Sequence, residues 1–411
     1  MKINKYIGVR DFYPEDMVVE NYIFDAWRKV ANSFGYKEID TPIIEPLELF
    51  TAKSGEEITS QLYNFTDKGD RKITLRPETT PSVARLVVQK QKELKKPMKW
   101  FSVSQCFRYE RPQKGRLRGF VQFNADCLGV ETPIADAENI ALASNILLEL
   151  GLTKDDFFIR LSQRELINSI FKNIKIKNIQ PVFKLIDKKA KISEKDFVLG
   201  LKDNGLNDSQ IDKINLLFTV KSVEDLEKSG LDYDKDAFEN VKQISDYLTD
   251  FGLKDLMVLD LSVIRGFDYY TGIVFELYDR TGEFRAVAGG GRYDDLVGVF
   301  NGERCPGIGF GMGDAVLALL LEKKGLLKKL ELSTDYFIAI MGEENSSYAI
   351  EVANSLRKKG NSVEIEVANR NFKKQMNYAN SINAKNLIVI GDEETKNKSY
   401  KIKDLKTGKE K

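Results

Sequence analysis

The stretch RYERPQKGRLRGF, residues Arg108–Phe120, places five basic residues and one acidic residue in thirteen positions. The segments that overlap its two ends, MKWFSVSQCFRYE over residues 98–110 and GFVQFNADCLGV over residues 119–130, alternate between polar and apolar side chains, as strands do. The pattern therefore predicts a long, basic hairpin loop between two antiparallel strands. Its chemistry stays open at this point, because a solvated loop, a nucleic-acid patch and a phosphate site all fit.

The basic stretch is unusual because the whole chain is close to neutral. Its 411 residues contain 63 Lys and Arg against 62 Asp and Glu, so any polyanion must be held by a local patch. With 42% hydrophobic and 30% charged residues, the chain has the composition of a folded protein of two or three domains. Three scattered cysteines and the lack of a long apolar run predict a cytoplasmic protein without membrane contact.

Histidine is entirely absent from the chain. Its absence excludes catalysis by Ser-His-Asp or Cys-His groups, zinc sites that use histidine and histidine general bases. The available groups are Arg, Lys, carboxylates, Tyr, backbone amides and a bound ion. This inventory favours catalysis by positioning and electrostatic stabilisation.

The order of patterns along the chain predicts two domains. A helix is expected over Pro14–Ser33, and a helical insertion over about residues 168–250 separates two groups of strand signals. From Ser333 onward, strands alternate with helices, which is typical of a small α/β domain. We therefore expect an α+β domain over residues 1–325, built on an antiparallel sheet flanked by helices, and an α/β domain over residues 333–411.

Two segments place charged groups among apolar neighbours. In LSVIRGFDYY, Arg265 and Asp268 precede Tyr269 and Tyr270. A buried arginine must be paired or must face an anion, so either a structural ion pair with Asp268 or an anion site is possible. In LRPETT, Glu78 lies in a turn before a helix.

Further polar residues that could belong to a site are found in two other places. Thr79 or Thr80 could simply cap the helix that follows Glu78. Gln122, Asn124 and Asp126 share one face of an alternating strand, which indicates either a wet surface or the polar floor of a pocket.

Taken in order, these segments resemble class II aminoacyl-tRNA synthetases, and within them the histidyl-tRNA synthetase family. FGYKEIDTPIIEP is similar to the first class motif, with Pro42 as its proline, and FRYERPQKGRLRGFVQF is similar to the second. LSVIRGFDYYTG and AVAGGGRYDDLV resemble the two segments peculiar to the histidyl branch. The resemblance extends over almost the whole chain, and its last part matches an anticodon-binding domain.

The resemblance implies a homodimer that binds L-histidine, ATP with Mg²⁺, and tRNA(His). Histidine would attack the α-phosphate of ATP to give histidyl-adenylate, and the histidyl group would then pass to the 3′ end of the tRNA. No side-chain nucleophile is needed in such a reaction, which agrees with a chain that lacks histidine. A metal site built from protein ligands is not expected, since Mg²⁺ would arrive with ATP.

The resemblance also assigns roles to individual residues. Two arginines would be catalytic at the α-phosphate, namely Arg108 and Arg265. The histidine site would consist of Glu78, Thr80, Arg108, Gln122, Asp126, Arg265, Tyr269 and Tyr270. Asp126 and Tyr270 would read the imidazole, because a ring with one donor and one acceptor suits a carboxylate and a phenol. ATP would be held by Arg108, Glu110, Arg116, Arg118 and Arg292, and the tRNA acceptor end by Arg111 and Gln113.

One departure from the family pattern concerns the third class motif. That motif ends in a Glu-Arg pair whose arginine holds the γ-phosphate, whereas GIGFGMGDAVLALLL has Asp314 and Ala315 at this point. Asp314 is a suitable helix cap. Either Arg292 or a magnesium ion could compensate, or the ATP site could be weakened.

Two other functions are compatible with parts of the resemblance. A non-catalytic paralogue that serves as the regulatory subunit of ATP phosphoribosyltransferase typically lacks the C-terminal domain and loses the RGFDYYTG segment. A module that senses uncharged tRNA would accompany a kinase domain. The chain retains RGFDYYTG and a C-terminal α/β pattern, which favours the enzyme.

Overall fold

The computed structural model describes residues 3–52, 60–189, 192–263, 269–328 and 330–410. The chain forms two compact units. The first comprises the residues up to Asp11 together with Val19–Leu327, and the second comprises Phe12–Val18 and the residues from Lys328 onward.

The described residues form helices and strands that we number in chain order. The helices are α1 Pro14–Ser33, α2 Leu47–Thr51, α3 Thr80–Lys90, α4 Pro133–Glu149, α5 Arg164–Asn173, α6 Ile179–Lys188, α7 Glu194–Asp203, α8 Asp208–Leu217, α9 Val223–Lys228, α10 Lys235–Asp250, α11 Leu296–Val299, α12 Asp314–Lys323, α13 Ser346–Lys358, α14 Phe372–Ser381 and α15 Asp392–Asn397. The strands are β1 Lys37–Glu38, β2 Ile44–Pro46, β3 Tyr63–Thr66, β4 Lys72–Leu75, β5 Met98–Phe107, β6 Gly119–Leu128, β7 Phe157–Gln163, β8 Met257–Leu259, β9 Ile273–Asp279, β10 Ala288–Arg292, β11 Gly307–Gly313, β12 Tyr336–Ile340, β13 Val363–Ile365, β14 Asn386–Ile390 and β15 Ile402–Asp404.

An eight-stranded sheet organises the first unit, in the order β1-β5-β6-β11-β10-β9-β7-β8. Its six central strands are antiparallel, and only the edge pairs β1–β5 and β7–β8 are parallel. Strands β5 and β6 pair along their whole length, from Met98 opposite Leu128 to Phe107 opposite Gly119. The predicted hairpin and the predicted antiparallel sheet are therefore confirmed.

The pleat of β6 separates the apolar core from a polar face. Phe123 packs against Trp27 of α1, with ring centroids 5.7 Å apart, and both side chains are fully buried. Because successive residues of a strand point to opposite faces, Gln122, Asn124 and Asp126 project away from α1. The predicted helix over Pro14–Ser33 is confirmed, and its apolar stripe covers the core side of the sheet.

Helices α5 to α10 occupy the chain between Arg164 and Asp250, the region where the sequence favours a helical insertion. In the second unit, β13, β12 and β14 are parallel, and β15 joins β14 in an antiparallel pair. The alternation of strands and helices predicted there is confirmed. Within the described part of the chain, each helix is too short or too polar to cross a bilayer.

Glycine at position 290 is required where β10 lies between β9 and β11. A Cβ atom built on Gly290 would lie closer than 3.0 Å to the carbonyl oxygen of Gly309 and to the backbone of Phe310. Real Cβ contacts are essentially never that short, and backbone held in two ladders cannot move aside easily.

We expect Gly290→Ala to lower the free energy of unfolding by about 2 kcal/mol or more, because it overpacks the centre of the sheet. Thermal unfolding followed by calorimetry measures the change. Gly298→Ala is the matched control, since nothing lies within 4 Å of a Cβ there. Equal unfolding temperatures for the two variants would contradict the prediction.

Candidate active site

A buried carboxylate and a phenol mark the centre of the polar face. Glu78, immediately before α3, is 2% exposed and accepts a hydrogen bond of 2.8 Å from the hydroxyl of Tyr269. Burial raises the pKa of Glu78 to about 7, although the positive charge of Arg108 opposes the shift. The other oxygen, Oε1, has no hydrogen-bond partner among the described residues and can accept from a ligand.

A second buried carboxylate lies on β6. Asp126 is 2% exposed, and the hydroxyl of Tyr293 donates a hydrogen bond to its Oδ1. Burial raises the pKa of Asp126 to about 7, and the hydrogen bond from Tyr293 acts in the opposite direction. Buried acids whose pKa values are raised toward neutrality, as those of Glu78 and Asp126 are, often mark a functional site.

Three tyrosines connect these two carboxylates. The ring of Tyr269 makes edge-to-face contacts with Tyr270 at 5.2 Å and with Tyr293 at 5.9 Å. Burial raises the pKa of Tyr270, and the charges of both Glu78 and Asp126 raise it further. The phenols therefore stay protonated near neutral pH, which keeps them available as hydrogen-bond donors.

Strand β11 provides space for the polar side chains of β6. Gly309 pairs with Asp126 and Gly311 pairs with Asn124. A Cβ on Gly309 would lie closer than 3.0 Å to the side chain of Asp126, and a Cβ on Gly311 would lie closer than 3.0 Å to that of Gln122, so both side chains lean across the glycines. The glycine-rich strand β11 thus forms the floor of the polar face. Its glycines are explained by the space that the β6 side chains need, without a phosphate-binding loop.

Residues at the start of α3 adjoin Glu78. Thr80 is the first residue of α3 and is 7% exposed. Thr79 occupies the cap position but makes no capping hydrogen bond with its side chain. The capping interpretation is therefore wrong for Thr79.

The basic loop begins where β5 ends. Arg108 donates from Nε to the carbonyl oxygen of Pro77 at 2.9 Å, and its guanidinium lies over the ring of Phe120 at 5.3 Å. Glu110 and Arg116 form an ion pair within the loop. The structure thus brings together two of the predicted ATP contacts, Glu110 and Arg116. They follow Arg108, which connects the loop to the buried site through Pro77.

Arg118 is held by aromatic rings at the other end of the loop. Its guanidinium lies 4.2 Å from the ring centroid of Tyr109 and 5.5 Å from that of Tyr6. Its Nε donates to the carbonyl oxygen of Glu110 at 3.0 Å. The side chain of Arg118 therefore contacts three neighbours, Tyr6, Tyr109 and Glu110.

Arg111 and Gln113 lie together on the wall of a cavity of about 580 Å³. This volume lies within the range of about 300–1,000 Å³ that is typical of ligand sites. Besides these two residues, the cavity is lined by Ser60, Gln61, Tyr109, Glu110, Pro112 and Arg116.

The expectation that Asp314 caps a helix is wrong. The cap position of α12 is Gly313, and Asp314 is the first helical residue, with a fully buried side chain. Strand β11 ends opposite Gln122, so Asp314 lies beside Val121, whose backbone N–H donates to Oδ1 at 3.2 Å. The other carboxylate oxygen, Oδ2, pairs with the guanidinium of Arg10.

Arg292, another predicted ATP contact, is bonded to groups of the protein itself. Its guanidinium donates to Asp136 at 2.6 and 3.0 Å, to Asp294 at 2.9 Å and to the carbonyl oxygen of Val130 at 3.0 Å. All three of its nitrogens are thus engaged in a buried network. The suggestion that Arg292 replaces the missing motif arginine loses its support.

Two further outcomes concern residues outside these groups. Arg265 and Asp268 lie outside the described residues, so the contact of Arg265 with an anion and the alternative ion pair with Asp268 both stay predictions. Tyr293 belongs to the AVAGGGRYDDLV segment that resembles the histidyl branch, but the sequence did not predict its bond to Asp126. The one hint in the sequence is that Tyr293 follows closely after the glycines of AVAGGGRYDD.

Comparisons with known proteins agree with this geometry. The profile of the histidyl-tRNA synthetase family matches residues 8–314, and that of an anticodon-binding domain matches residues 335–411. The histidine--tRNA ligases of Haloarcula marismortui and Haloquadratum walsbyi are each 40% identical to 98% of this chain, covering 94% and 93% of their own lengths. The crystal structure of histidyl-tRNA synthetase from Nostoc superposes with a TM-score of 0.84 at 25% identity, over 100% of this chain and 96% of the other. The chain therefore belongs to the histidyl-tRNA synthetase family, whose members are aminoacyl-tRNA synthetases.

Proposed function

We propose that this chain activates L-histidine with ATP and transfers the histidyl group to tRNA(His). In the first step the histidine carboxylate attacks the α-phosphate, which forms histidyl-adenylate and releases pyrophosphate. In the second step the 3′-terminal hydroxyl of the tRNA attacks the histidyl carbonyl and releases AMP. The observation that carries the proposal is the pair of buried carboxylates, Glu78 and Asp126, beside Arg108.

The recognition of histidine follows from the donors and acceptors of the pocket. Glu78, Thr80 and Gln122 would surround the α-ammonium group, which carries three donors and needs acceptors. Asp126 would accept from the imidazole N–H, while Tyr270 would donate to the other ring nitrogen. An apolar analogue would leave these buried groups unpaired, and such a loss supports strong discrimination without an editing site.

The arginines would act on the charge that develops at the α-phosphate. Arg108 lies between the histidine pocket and the loop, and it would contact both the substrate carboxylate and the phosphate. Glu110, Arg116 and Arg118 would hold ATP, and Arg265 would approach the phosphate from the opposite side. Arg292 is not part of this set, because its guanidinium nitrogens are bonded within the protein.

Magnesium is proposed to enter as part of the ATP substrate. Among the described residues no group of three or more acidic or cysteine side chains could hold a metal ion. Mg²⁺ commonly binds through substrate phosphates with few protein ligands, so the site needs no cage of its own.

The tRNA would contact two parts of the chain. Arg111 and Gln113, on the wall of the loop cavity, would read the acceptor end, and residues 333–411 would form the anticodon-binding domain. Residues 1–325, with the insertion over about 168–250, would form the catalytic domain.

We also propose that the enzyme is a class II homodimer of the cytoplasm. Pro42 belongs to the segment that resembles the dimer-forming motif, and the neighbouring Ile43 and Ile44 are 43% and 51% exposed. Phe65, on the same small sheet as Ile44, is 47% exposed. Exposed apolar side chains that lie together are typical of protein–protein contacts.

The regulatory-subunit alternative has less support. That paralogue typically lacks an anticodon-binding domain, whereas the profile of such a domain matches residues 335–411 of this chain.

The function is tested by ATP–pyrophosphate exchange with each of the twenty amino acids in turn. We expect exchange with histidine and none above background with the other nineteen, because only histidine pairs all the buried groups. Exchange with no amino acid would favour the regulatory alternative, and exchange with another amino acid would refute the proposed recognition.

Substitutions of Arg111 and Gln113 should affect the charging of tRNA and not the activation of histidine. We expect Arg111→Ala combined with Gln113→Ala to slow the charging of tRNA(His) about a hundredfold while exchange changes by less than about threefold. Lys92→Ala, at an exposed position outside the loop, is the control. Equal losses in both steps would show that the pair does not act on the tRNA.

Glu78 should make the empty protein less stable at high pH. Its pKa of about 7 in the folded state lies above the ordinary value of 4.5, so stability falls as pH rises between these values. The cost of ionising Glu78 is fully present above pH 7 and is on the order of 3 kcal/mol.

We therefore expect Glu78→Gln to raise the unfolding temperature at pH 8 more than at pH 5, although the variant loses exchange activity. Differential scanning calorimetry at the two pH values measures the effect, with the surface substitution Glu93→Gln as control. The same change in unfolding temperature at both pH values would contradict the raised pKa.

A further inference from the structure

A short segment near the N-terminus crosses the base of the basic loop. We call Tyr6–Arg10 the strap. The carbonyl oxygen of Gly8 accepts hydrogen bonds from the backbone N–H groups of Arg118 at 2.7 Å and of Gly119 at 3.2 Å. The strap is thus bonded to the point where the loop returns to β6.

The strap also contacts side chains at both ends of the loop. A Cβ on Gly8 would lie 2.9 Å from Pro112 and 2.9 Å from the Arg118 side chain, and Gly8 has a φ of +85°. The Arg118 guanidinium donates to the hydroxyl of Tyr6 at 3.1 Å. Only glycine permits this close approach, because any side chain would displace the loop and strain the backbone.

Arg10 fixes the strap to the rest of the catalytic unit. Its guanidinium bonds Glu20 of α1 at 3.4 Å and pairs with Asp314 at the start of α12. Asp314 is fully buried and in turn accepts from the backbone of Val121, two residues beyond Gly119 on β6. A buried carboxylate needs its cation, so the strap cannot leave without a large cost.

We propose that Arg10 is a positioning residue for ATP, acting through the strap on Arg118 and the loop. The inference rests on the proposed function, in which Arg118 binds ATP. By holding Gly8 against the loop base, Arg10 keeps Arg118 between Tyr6 and Tyr109 before ATP arrives. Preorganisation of this kind reduces the ordering cost of binding ATP and leaves the buried histidine pocket unaffected.

The first test measures the kinetics of ATP–pyrophosphate exchange for the Arg10→Met and Gly8→Ala variants of the whole chain. We expect each change to raise KM for ATP about tenfold while KM for histidine stays within about twofold. Arg10→Lys should restore part of the loss, because it keeps the cation. Arg28→Met removes the exposed Arg28–Glu38 ion pair, and Gly35→Ala has a φ of +80° with nothing within 4 Å, so both are matched controls.

A loss of folding would be separated from a loss of positioning by a second variant. Arg10→Met combined with Asp314→Asn and Glu20→Gln removes the cation together with the two buried carboxylates that it pairs with, so neither carboxylate is left without its cation while the strap is still released. We expect this triple variant to unfold near the wild-type temperature and to keep the raised KM for ATP. Unchanged KM for ATP in the folded triple variant, or equal changes in KM for ATP and histidine, would overturn the proposal.

Amide hydrogen exchange tests the strap without any activity. In Arg10→Met we expect faster exchange at Arg118 and Gly119, with unchanged exchange in α10. Uniform acceleration, or none at the loop base, would overturn the proposal even in an active enzyme. If the wild type shows no ATP–pyrophosphate exchange with histidine, the proposed function fails. The amide hydrogen exchange measurement still decides whether Arg10 holds the strap against the loop.

Discussion

The ten-residue ladder between β5 and β6 is the constraint on which the site depends. It sets the register that places Gln122 and Asp126 on one face and Phe123 on the other. Because side chains alternate with a period of two, a slip of one residue would exchange these faces. The polar groups would then meet Trp27, and the aromatic core would occupy the pocket. The packing of α1 on Phe123 thus fixes the polar face as firmly as it fixes the core.

Two buried carboxyl groups lie at or near this ladder, Asp126 on β6 and Glu78 next to Pro77, which bonds Arg108 at the end of β5. Burial raises the pKa values of Glu78 and Asp126 to about 7 by disfavouring their charged forms. The charge of Arg108 and the hydrogen bond from Tyr269 compensate only in part at Glu78, as does the hydrogen bond from Tyr293 at Asp126. A site that served stability alone would replace these acids with neutral groups of similar shape. Their presence fits a site whose missing interactions are supplied by a positively charged ligand.

Local pattern predicted the regular elements well and long-range pairing poorly. The alternation around Arg108–Phe120 and the helical spacing in Pro14–Ser33 each arise within about twenty residues, so sequence reasoning found them. The Arg10–Asp314 pair joins residues 304 apart, and no local pattern reports such a contact. Arg292 shows the same limit, since its partner Asp136 lies on another element, 156 residues away. The roles of individual site residues came from motif resemblance, not from periodicity, and most of them remain proposals.

The raised pKa of Asp126 has a consequence for how histidine would be held. Above neutral pH an ionised Asp126 would accept from a neutral imidazole, whereas below it the proton could reside on either partner. A protonated acid beside a neutral ring and a carboxylate beside an imidazolium hold the same number of protons and the same net charge. Below pH 7 the pair would therefore hold one proton more than above it, with the hydroxyl of Tyr293 bonded to Asp126 in both cases. Because the chain contains no histidine, no imidazole of its own would compete for that proton.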